Sequence, residues 1–145
     1  MANSADEPLT WREKALAALL RVSAALLLLA FFAIFLPFSW MAAIHAWIGL
    51  GELADTPLTG YLTRSVSAFY AFHGAILWLI STDVRRYAPV IRLVAVASLF
   101  FGAVLLVVDI VVGMPLFWVL GEGPSVMALA AALIWLQQRG PATSA

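Results

Sequence analysis

The sequence predicts an all-α polytopic membrane protein, a bundle of four transmembrane helices with a short interfacial helix on the outer side. Hydrophobic residues make up 64% of the 145 residues and charged residues 11%, and the mean hydropathy is +1.00. A soluble domain has roughly 45–50% apolar and about 25% charged residues. Four apolar stretches approach the roughly 17–25 residues that a helix needs to cross hydrocarbon. They lack the period-two alternation of a transmembrane barrel, so we expect helices in a single membrane domain over residues 1–145.

The first predicted span covers residues 16–38 and follows a helix start signal. Thr10 precedes Trp11 at the N-cap position, and Glu13 stands at the spacing of a capping box. A secretory signal peptide is the alternative interpretation, because basic residues precede a leucine-rich run. Bulky residues follow the run, and no small-x-small cleavage site lies at the usual distance. We therefore expect the span to be retained.

Residues 39–53 fit a short helix that lies in the membrane interface. Trp40, Ile44 and Trp47 recur at helical spacing on one side of this segment. The indole ring is apolar while its N–H needs a hydrogen-bond partner, so tryptophan favours the head-group zone. Trp118, beyond the third span, would join Trp40 and Trp47 as an interfacial anchor. A docking platform for another protein is the alternative role of this rim.

The remaining chain contains three more predicted spans, at residues 62–80, 90–112 and 124–138. The start of the last span is ambiguous. A start at Pro124 gives a helix that is short for a bilayer, whereas a start at Pro115 places a Gly-Glu-Gly-Pro run inside the helix. We favour Pro124, with residues 115–120 lying at the interface.

The distribution of basic residues predicts the orientation of the chain. With the N-terminus in the cytoplasm, seven of the eight basic residues lie on the inner side and only Arg64 lies outside. An excess of basic residues on the cytoplasmic side is the usual pattern of membrane proteins. We therefore expect an integral membrane protein with both termini in the cytoplasm. The seven inner residues are Arg12, Lys14, Arg21, Arg85, Arg86, Arg92 and Arg139.

Several kinds of chemistry are excluded by composition. The chain has no cysteine, which removes disulfides, thiolate metal sites and CxxC redox centres. Its net charge is +0 and its basic residues are spread over three segments, so we expect no nucleic-acid partner. His45 in the outer rim and His73 near the membrane middle do not suit one haem iron, although His73 residues paired across a dimer stay open. No catalytic motif is present, so we expect no cofactor, no metal, no catalytic residue and no enzymatic activity.

Two charged residues at membrane depth predict an ion pair. Asp109 lies about one helical turn below the outer end of the third span, and Arg64 lies at a comparable depth in the second. A charge in this position is costly without a partner, and the long arginine side chain reaches inward. We expect Arg64 and Asp109 to tie the two spans together. The alternatives are a proton or ion site at Asp109, or side chains that extend to the outer water.

A second polar group lies close to the predicted membrane midplane. Tyr70 and His73 are three residues apart and share a helix face, and Ser23 of the first span lies at a similar depth. A hydrogen-bonded core histidine is one interpretation, and a pocket for a lipid or quinone is the other. The same span carries a strip of small and polar residues that suits close helix contact. This strip contains Arg64, Ser67, Ala71, Gly74 and Ala75.

A further set of residues gives a resemblance to a known family. The set is Arg92, Gly102, Asp109, Gly113-Met114-Pro115, Trp118 and Glu122-Gly123-Pro124, within a chain of four-span length. In these features the chain resembles the DoxX-like group of small bacterial four-span membrane proteins, over most of its length. Some members are associated with quinone-linked or respiratory oxidation systems. The resemblance implies an accessory subunit or a binder of a lipophilic molecule, and no catalytic residue carries over.

From these observations we expect a small accessory or scaffold protein whose partners are the lipid bilayer and another membrane protein or a second copy of the chain. The alternative function is that of a binder or carrier of a lipid or quinone, with Tyr70, His73 and Ser23 in an intrabundle pocket.

Overall fold

The computed structural model describes residues 7–137, and this part of the chain is helical with no β-strand. The predicted end of the fourth span at Gln138 and the inner basic residue Arg139 lie outside the described residues. Six helices follow in chain order: α1 (Trp11–Leu28), α2 (Ala30–Ala33), α3 (Phe38–Trp47), α4 (Pro57–Ile80), α5 (Ala88–Val112) and α6 (Leu116–Gln137). The all-α prediction is therefore confirmed for the described residues.

Helix α1 begins at Trp11 with the predicted capping box. The Thr10 N–H donates to Glu13 Oε2 at 2.7 Å, and the Glu13 N–H donates to Thr10 Oγ1 at 3.3 Å. The two side chains thus satisfy N–H groups at a helix start, which have no partner within the helix.

The first predicted span, residues 16–38, ends less regularly than expected. The Leu29 N–H still bonds to the carbonyl four residues back, at 3.2 Å. After α2, which is one short α-helical turn, the bonds reach three residues back, from Phe35 to Phe32 at 3.2 Å and from Leu36 to Ala33 at 3.3 Å. The helix tightens into 3₁₀-type turns before Pro37, which begins the next turn instead of continuing this one.

The predicted interfacial segment, residues 39–53, contains α3, which ends at Trp47. Gly49 and Gly51 follow, both at a φ of 85°. This left-handed conformation suits glycine and stops the helix. The helix exists, and its placement in a membrane interface stays a prediction.

Helix α5 contains the predicted span at residues 90–112 and extends it by two residues. It ends at Gly113, whose φ is 79°, and the Met114 N–H donates to the Asp109 carbonyl at 2.9 Å. This is the ending that a left-handed glycine gives to a helix.

The predicted start of the last helix at Pro124 is wrong. Helix α6 begins at Leu116, directly after Pro115, and Pro124 lies inside it. The Pro115 carbonyl accepts hydrogen bonds from the N–H groups of Trp118 at 2.9 Å and Val119 at 3.1 Å. Pro124 lacks an N–H and costs the helix one bond, but Gly123 beside it packs against α5 and holds this stretch helical. Residues 115–120 therefore form the first turns of the helix instead of a separate segment.

The described chain forms two compact units. The first contains residues 7–20 and 80–137, where α5 and α6 pack together, and the second is Arg21–Leu79. The core of the first unit is built from aliphatic side chains, among them Leu16, Leu20, Ile91, Ala95 and Leu133. The prediction of a single membrane domain stays a prediction.

Three helical segments are long and apolar enough to cross a membrane: Trp11–Ala33, Ala88–Val112 and Leu116–Gln137. These segments indicate a membrane protein. Helix α4, which contains the predicted span at residues 62–80, has 24 residues but is not among the three. Its Arg64, Tyr70 and His73 side chains lower its hydropathy. The crossing of α4 therefore belongs to the proposal below.

Candidate functional site

The predicted pocket residues lie beside a close helix contact in the second unit. A methyl group placed on Gly74 would lie 3.0 Å from the Ala24 carbonyl oxygen and 3.0 Å from the Leu28 nitrogen. Only glycine allows α1 and α4 to approach so closely. His73 and Ser23 are the sequence neighbours of two residues in this contact, and both are half-buried. Their function as a ligand pocket stays a prediction.

The small-residue strip on α4 is only partly a contact surface. Ala71 and Gly74 are buried, and Ser67 is half-buried with its hydroxyl donating to the Thr63 carbonyl at 2.8 Å. Ala75 is exposed. Gly74 and Ala75 are adjacent, so they lie about 100° apart around the helix, and the three- and four-residue steps do not keep both in one contact.

Arg64 binds backbone carbonyls of its own unit. Its Nη1 donates to the Gly60 carbonyl at 3.0 Å, and its Nη2 donates to the Leu36 carbonyl at 3.4 Å. The guanidinium thereby connects the first turns of α4 to the chain just before α3. The Leu36 carbonyl follows the end of α2, where a cation is favourable, whereas Gly60 lies in the first turn of α4.

Asp109 has the least satisfied environment of the predicted site residues. It is 5% exposed, lies on the buried face of α5 with Ala95 and Gly102, and its Oδ2 has no hydrogen-bond partner in residues 7–137. A buried charged oxygen without a partner is costly. Arg64 and Asp109 belong to different units, so their ion pair stays a prediction.

The three predicted interfacial tryptophans differ in their surroundings. Trp40 and Trp47 on α3 are exposed. Trp118 is half-buried, and its Nε1–H donates to Glu122 Oε2 at 2.6 Å, one turn along α6. The exposed rings suit the predicted anchoring role, which stays a prediction. The partner of the Trp118 N–H was not predicted, although the four-residue spacing to Glu122 is a helical contact.

Sequence reasoning missed an ion pair at the start of α1. Arg85, in the turn between α4 and α5, donates from Nε to Glu13 Oε1 at 2.6 Å and from Nη2 to Glu13 Oε2 at 3.0 Å. Its Nη1 also donates to the Glu7 carbonyl at 2.9 Å. The two bonds to Glu13 connect the first turn of α1 to the α4–α5 turn, and the bond to the Glu7 carbonyl connects the segment before α1 to the same turn. The hydrogen bond to Glu13 raises the pKa of Arg85.

The same end of the first unit carries a second missed cluster, which we call the Arg12 cluster: Trp11, Arg12 and Trp135. The Arg12 guanidinium carbon lies 5.0 Å from the centre of the Trp11 ring and 5.2 Å from that of Trp135. Both distances are within the range of cation–π attraction. Arg12 Nη1 is buried without a hydrogen-bond partner among the described residues. The available signal was a tryptophan at the start of the first span and another near the end of the last.

These arrangements share one kind of contact. In residues 7–137, no group of three or more His, Asp or Glu side chains is placed to hold a metal ion. Arginine guanidinium groups bound to carbonyls, carboxylates or aromatic rings are the recurring feature. No family model, curated protein or solved structure matches the chain.

Proposed function

We propose that the protein crosses the bacterial cytoplasmic membrane four times, with both termini inside, and serves as an accessory or scaffold subunit for another membrane protein or a second copy of itself. The crossings are α1 with α2, then α4, α5 and α6. The row of apolar side chains on the exposed face of α5 carries this proposal.

That row follows the helix at seven- and four-residue steps. Leu93, Phe100, Val107 and Val111 are between 60% and 78% exposed. Soluble monomers rarely leave so long an apolar surface in water. The surface is favourable only against lipid or against another apolar helix, and we propose that α5 presents it to both.

The fourth crossing is supported by the length and surface of α4 and by the charge pattern. The helix has 24 residues, enough for about 36 Å at 1.5 Å per residue. Its exposed side chains include Phe69, Phe72 and Leu79. Seven of the eight basic residues fall on one side only if α4 crosses and both termini lie inside.

An accessory role is favoured over ligand carriage by the packing beside His73. Gly74 leaves less than the room of a methyl group between α4 and α1. A site for a quinone or a lipid tail needs an open cavity lined by apolar groups. The resemblance to the DoxX-like group implies either an accessory subunit or a binder of a lipophilic molecule, so it does not decide between the two functions.

Native mass spectrometry of the protein gently purified from its own membranes tests the function. We expect a stoichiometric second polypeptide, either another membrane protein or a second copy. We also expect any bound lipophilic molecule to survive the substitution His73→Leu, because the proposed function does not use His73 as a ligand group. Ala75→Leu, an exposed position on the same helix, is the matched control.

Two results would overturn the accessory proposal. One is a bare monomer in several mild detergents. The other is a lipid or quinone bound one-to-one that His73→Leu removes and Ala75→Leu retains, with both variants still helical by circular dichroism. The second result would establish the alternative function, a binder or carrier of a lipophilic molecule.

A further inference from the structure

We propose that the Arg12 cluster is a binding site for a phosphate group, presented by the headgroup of an anionic phospholipid at the membrane surface. The inference rests on the proposed membrane location, and it adds a ligand that the accessory function does not require.

The two tryptophan rings hold the guanidinium in place. The ring centres of Trp11 and Trp135 are 6.3 Å apart, and the Arg12 guanidinium carbon lies within 5.2 Å of each. Attraction to two rings restricts where the guanidinium can lie, and its N–H groups remain hydrogen-bond donors. The cluster is therefore a positioned donor, and its side chain loses little further freedom when a ligand binds.

One nitrogen of the Arg12 guanidinium lacks a hydrogen-bond acceptor in residues 7–137. Arg12 Nη1 is buried and has no partner among the described residues. An unsatisfied donor on a buried cation costs more than a neutral one, so an acceptor that reaches it stabilises the folded protein. Trp11 is 62% exposed and Trp135 is 48% exposed. Both rings are partly exposed, and a ligand reaches Nη1 only if one of them shifts.

The neighbouring basic residues show why Arg12 is the residue to which the ligand binds. Arg85, in the same unit, already has its Nε and both Nη atoms engaged by Glu13 and by backbone carbonyls. Arg86 lies over the Tyr87 ring and is exposed. Arg12 alone among these three arginines combines ring contacts with a buried N–H that lacks an acceptor.

Phosphate is the anion that fits both the chemistry and the place. The arginine fork matches the oxygens of phosphate, and tryptophan rings favour the head-group zone, where phosphate is the abundant anion. Arg12 lies one residue after the start of an apolar helix, and Trp135 lies two residues before the end of another. On the proposed topology, both positions lie at the inner surface, where anionic lipids attract basic residues.

The test counts lipids retained by the full-length protein. The protein is placed in phosphatidylcholine nanodiscs that contain some phosphatidylglycerol, released, and analysed by native mass spectrometry. We expect the unchanged protein to retain one phosphatidylglycerol, and Arg12→Gln to bind it about tenfold less tightly or worse, because a charge-assisted hydrogen bond to phosphate is lost. Lys14→Gln removes the same charge two residues away from an exposed side chain and should retain the lipid.

A second experiment distinguishes binding of a lipid headgroup from binding of free phosphate. The variant Arg12→Lys controls for misfolding. Inorganic phosphate is titrated into lipid-depleted protein in detergent. Phosphate binding that depends on Arg12, together with no retained phosphatidylglycerol, would contradict the lipid source. Arg12→Lys keeps the charge but not the planar fork, so we expect it to fold and to retain less lipid than the unchanged protein.

Equal retention by the unchanged protein and by Arg12→Gln, both helical by circular dichroism, would overturn the site. Equal loss in Lys14→Gln would also overturn it, because general surface charge would then explain the binding. Resistance to alkaline carbonate extraction is measured in parallel. A protein that stays in the membrane without retaining phosphatidylglycerol would contradict this inference and leave the proposed function intact.

Discussion

Asp109 is a buried residue with a carboxyl oxygen that lacks a hydrogen-bond partner in residues 7–137. Its carboxyl group is buried, and Oδ2 has no hydrogen bond within the described residues. Arg64 has two carbonyl partners, which hold its guanidinium without neutralising it. An ion pair between these residues would satisfy both, and it is the interpretation that we test.

A double-mutant cycle of Asp109→Asn and Arg64→Gln, with unfolding measured in detergent, tests the pair. If the two charges neutralise each other in a buried place, each single substitution costs about 3–5 kcal/mol, because it leaves the other charge unpaired. The double variant should then be less destabilised than the sum of the two. Additive losses would show that Arg64 and Asp109 do not interact.

The contact between Glu13 and Arg85 supports a second prediction at the residue scale. Glu13→Gln should lower the melting temperature in detergent, because it removes a two-pronged ion pair and weakens the cap of α1. Arg86→Gln is the matched control, since Arg86 lies next in sequence and its side chain has no ion pair among residues 7–137. The loss in Glu13→Gln should shrink at high salt, because both side chains are partly exposed. Equal melting temperatures for Glu13→Gln and the unchanged protein would contradict the structural role.

The contacts of Glu13 show that the sequence predicts local contacts but not long-range ones. Its bond to Thr10 spans three residues and follows from a known local pattern, so the cap was predicted and is confirmed. Its bond to Arg85 spans 72 residues. No local pattern encodes a contact of that range, and the basic residues were interpreted through topology alone. The Arg12 cluster was missed for the same reason.

At the scale of helices, α6 was the clearest error. A Gly-Glu-Gly-Pro run ordinarily breaks a helix, and local propensity therefore favoured a start at Pro124. The structure keeps α6 continuous because Gly123 sits against the backbone of α5. A methyl group on Gly123 would lie 2.7 Å from the Gly102 carbonyl oxygen and 2.9 Å from the Leu106 nitrogen. Packing between helices decided what local propensity could not.

Gly123→Ala and Gly121→Ala form a matched pair of variants in one helix. The first should destabilise the protein by about 1–3 kcal/mol, since the added methyl group meets backbone atoms of α5 that cannot give way. The methyl group added by Gly121→Ala has no neighbouring atom within 4 Å. This variant should be neutral, or stabilised by up to about 1 kcal/mol through helix propensity. Unfolding of both variants in detergent provides the measurement. Equal stabilities would refute the close contact between α5 and α6.

At the scale of the whole molecule, composition and hydropathy predicted long apolar helices because they average over many residues. Trp11–Ala33, Ala88–Val112 and Leu116–Gln137 were found as apolar helices long enough to cross a membrane. The hydropathy of helix α4 does not decide whether it crosses a membrane, since polar residues such as Arg64 and His73 interrupt its apolar run. Whether it crosses the bilayer is the central question, because the proposed orientation and the proposed inner position of the Arg12 cluster depend on it.

Cysteine labelling on the two sides of α4 tests that question most directly. The chain has no cysteine of its own, and Glu52 and Asp83 are exposed acidic residues before and after the helix. In intact cells, an impermeant maleimide should label Glu52→Cys, while Asp83→Cys should react only after the membrane is permeabilised. Labelling of both positions from the outside would place the two ends of α4 on the same side and contradict the four-crossing account.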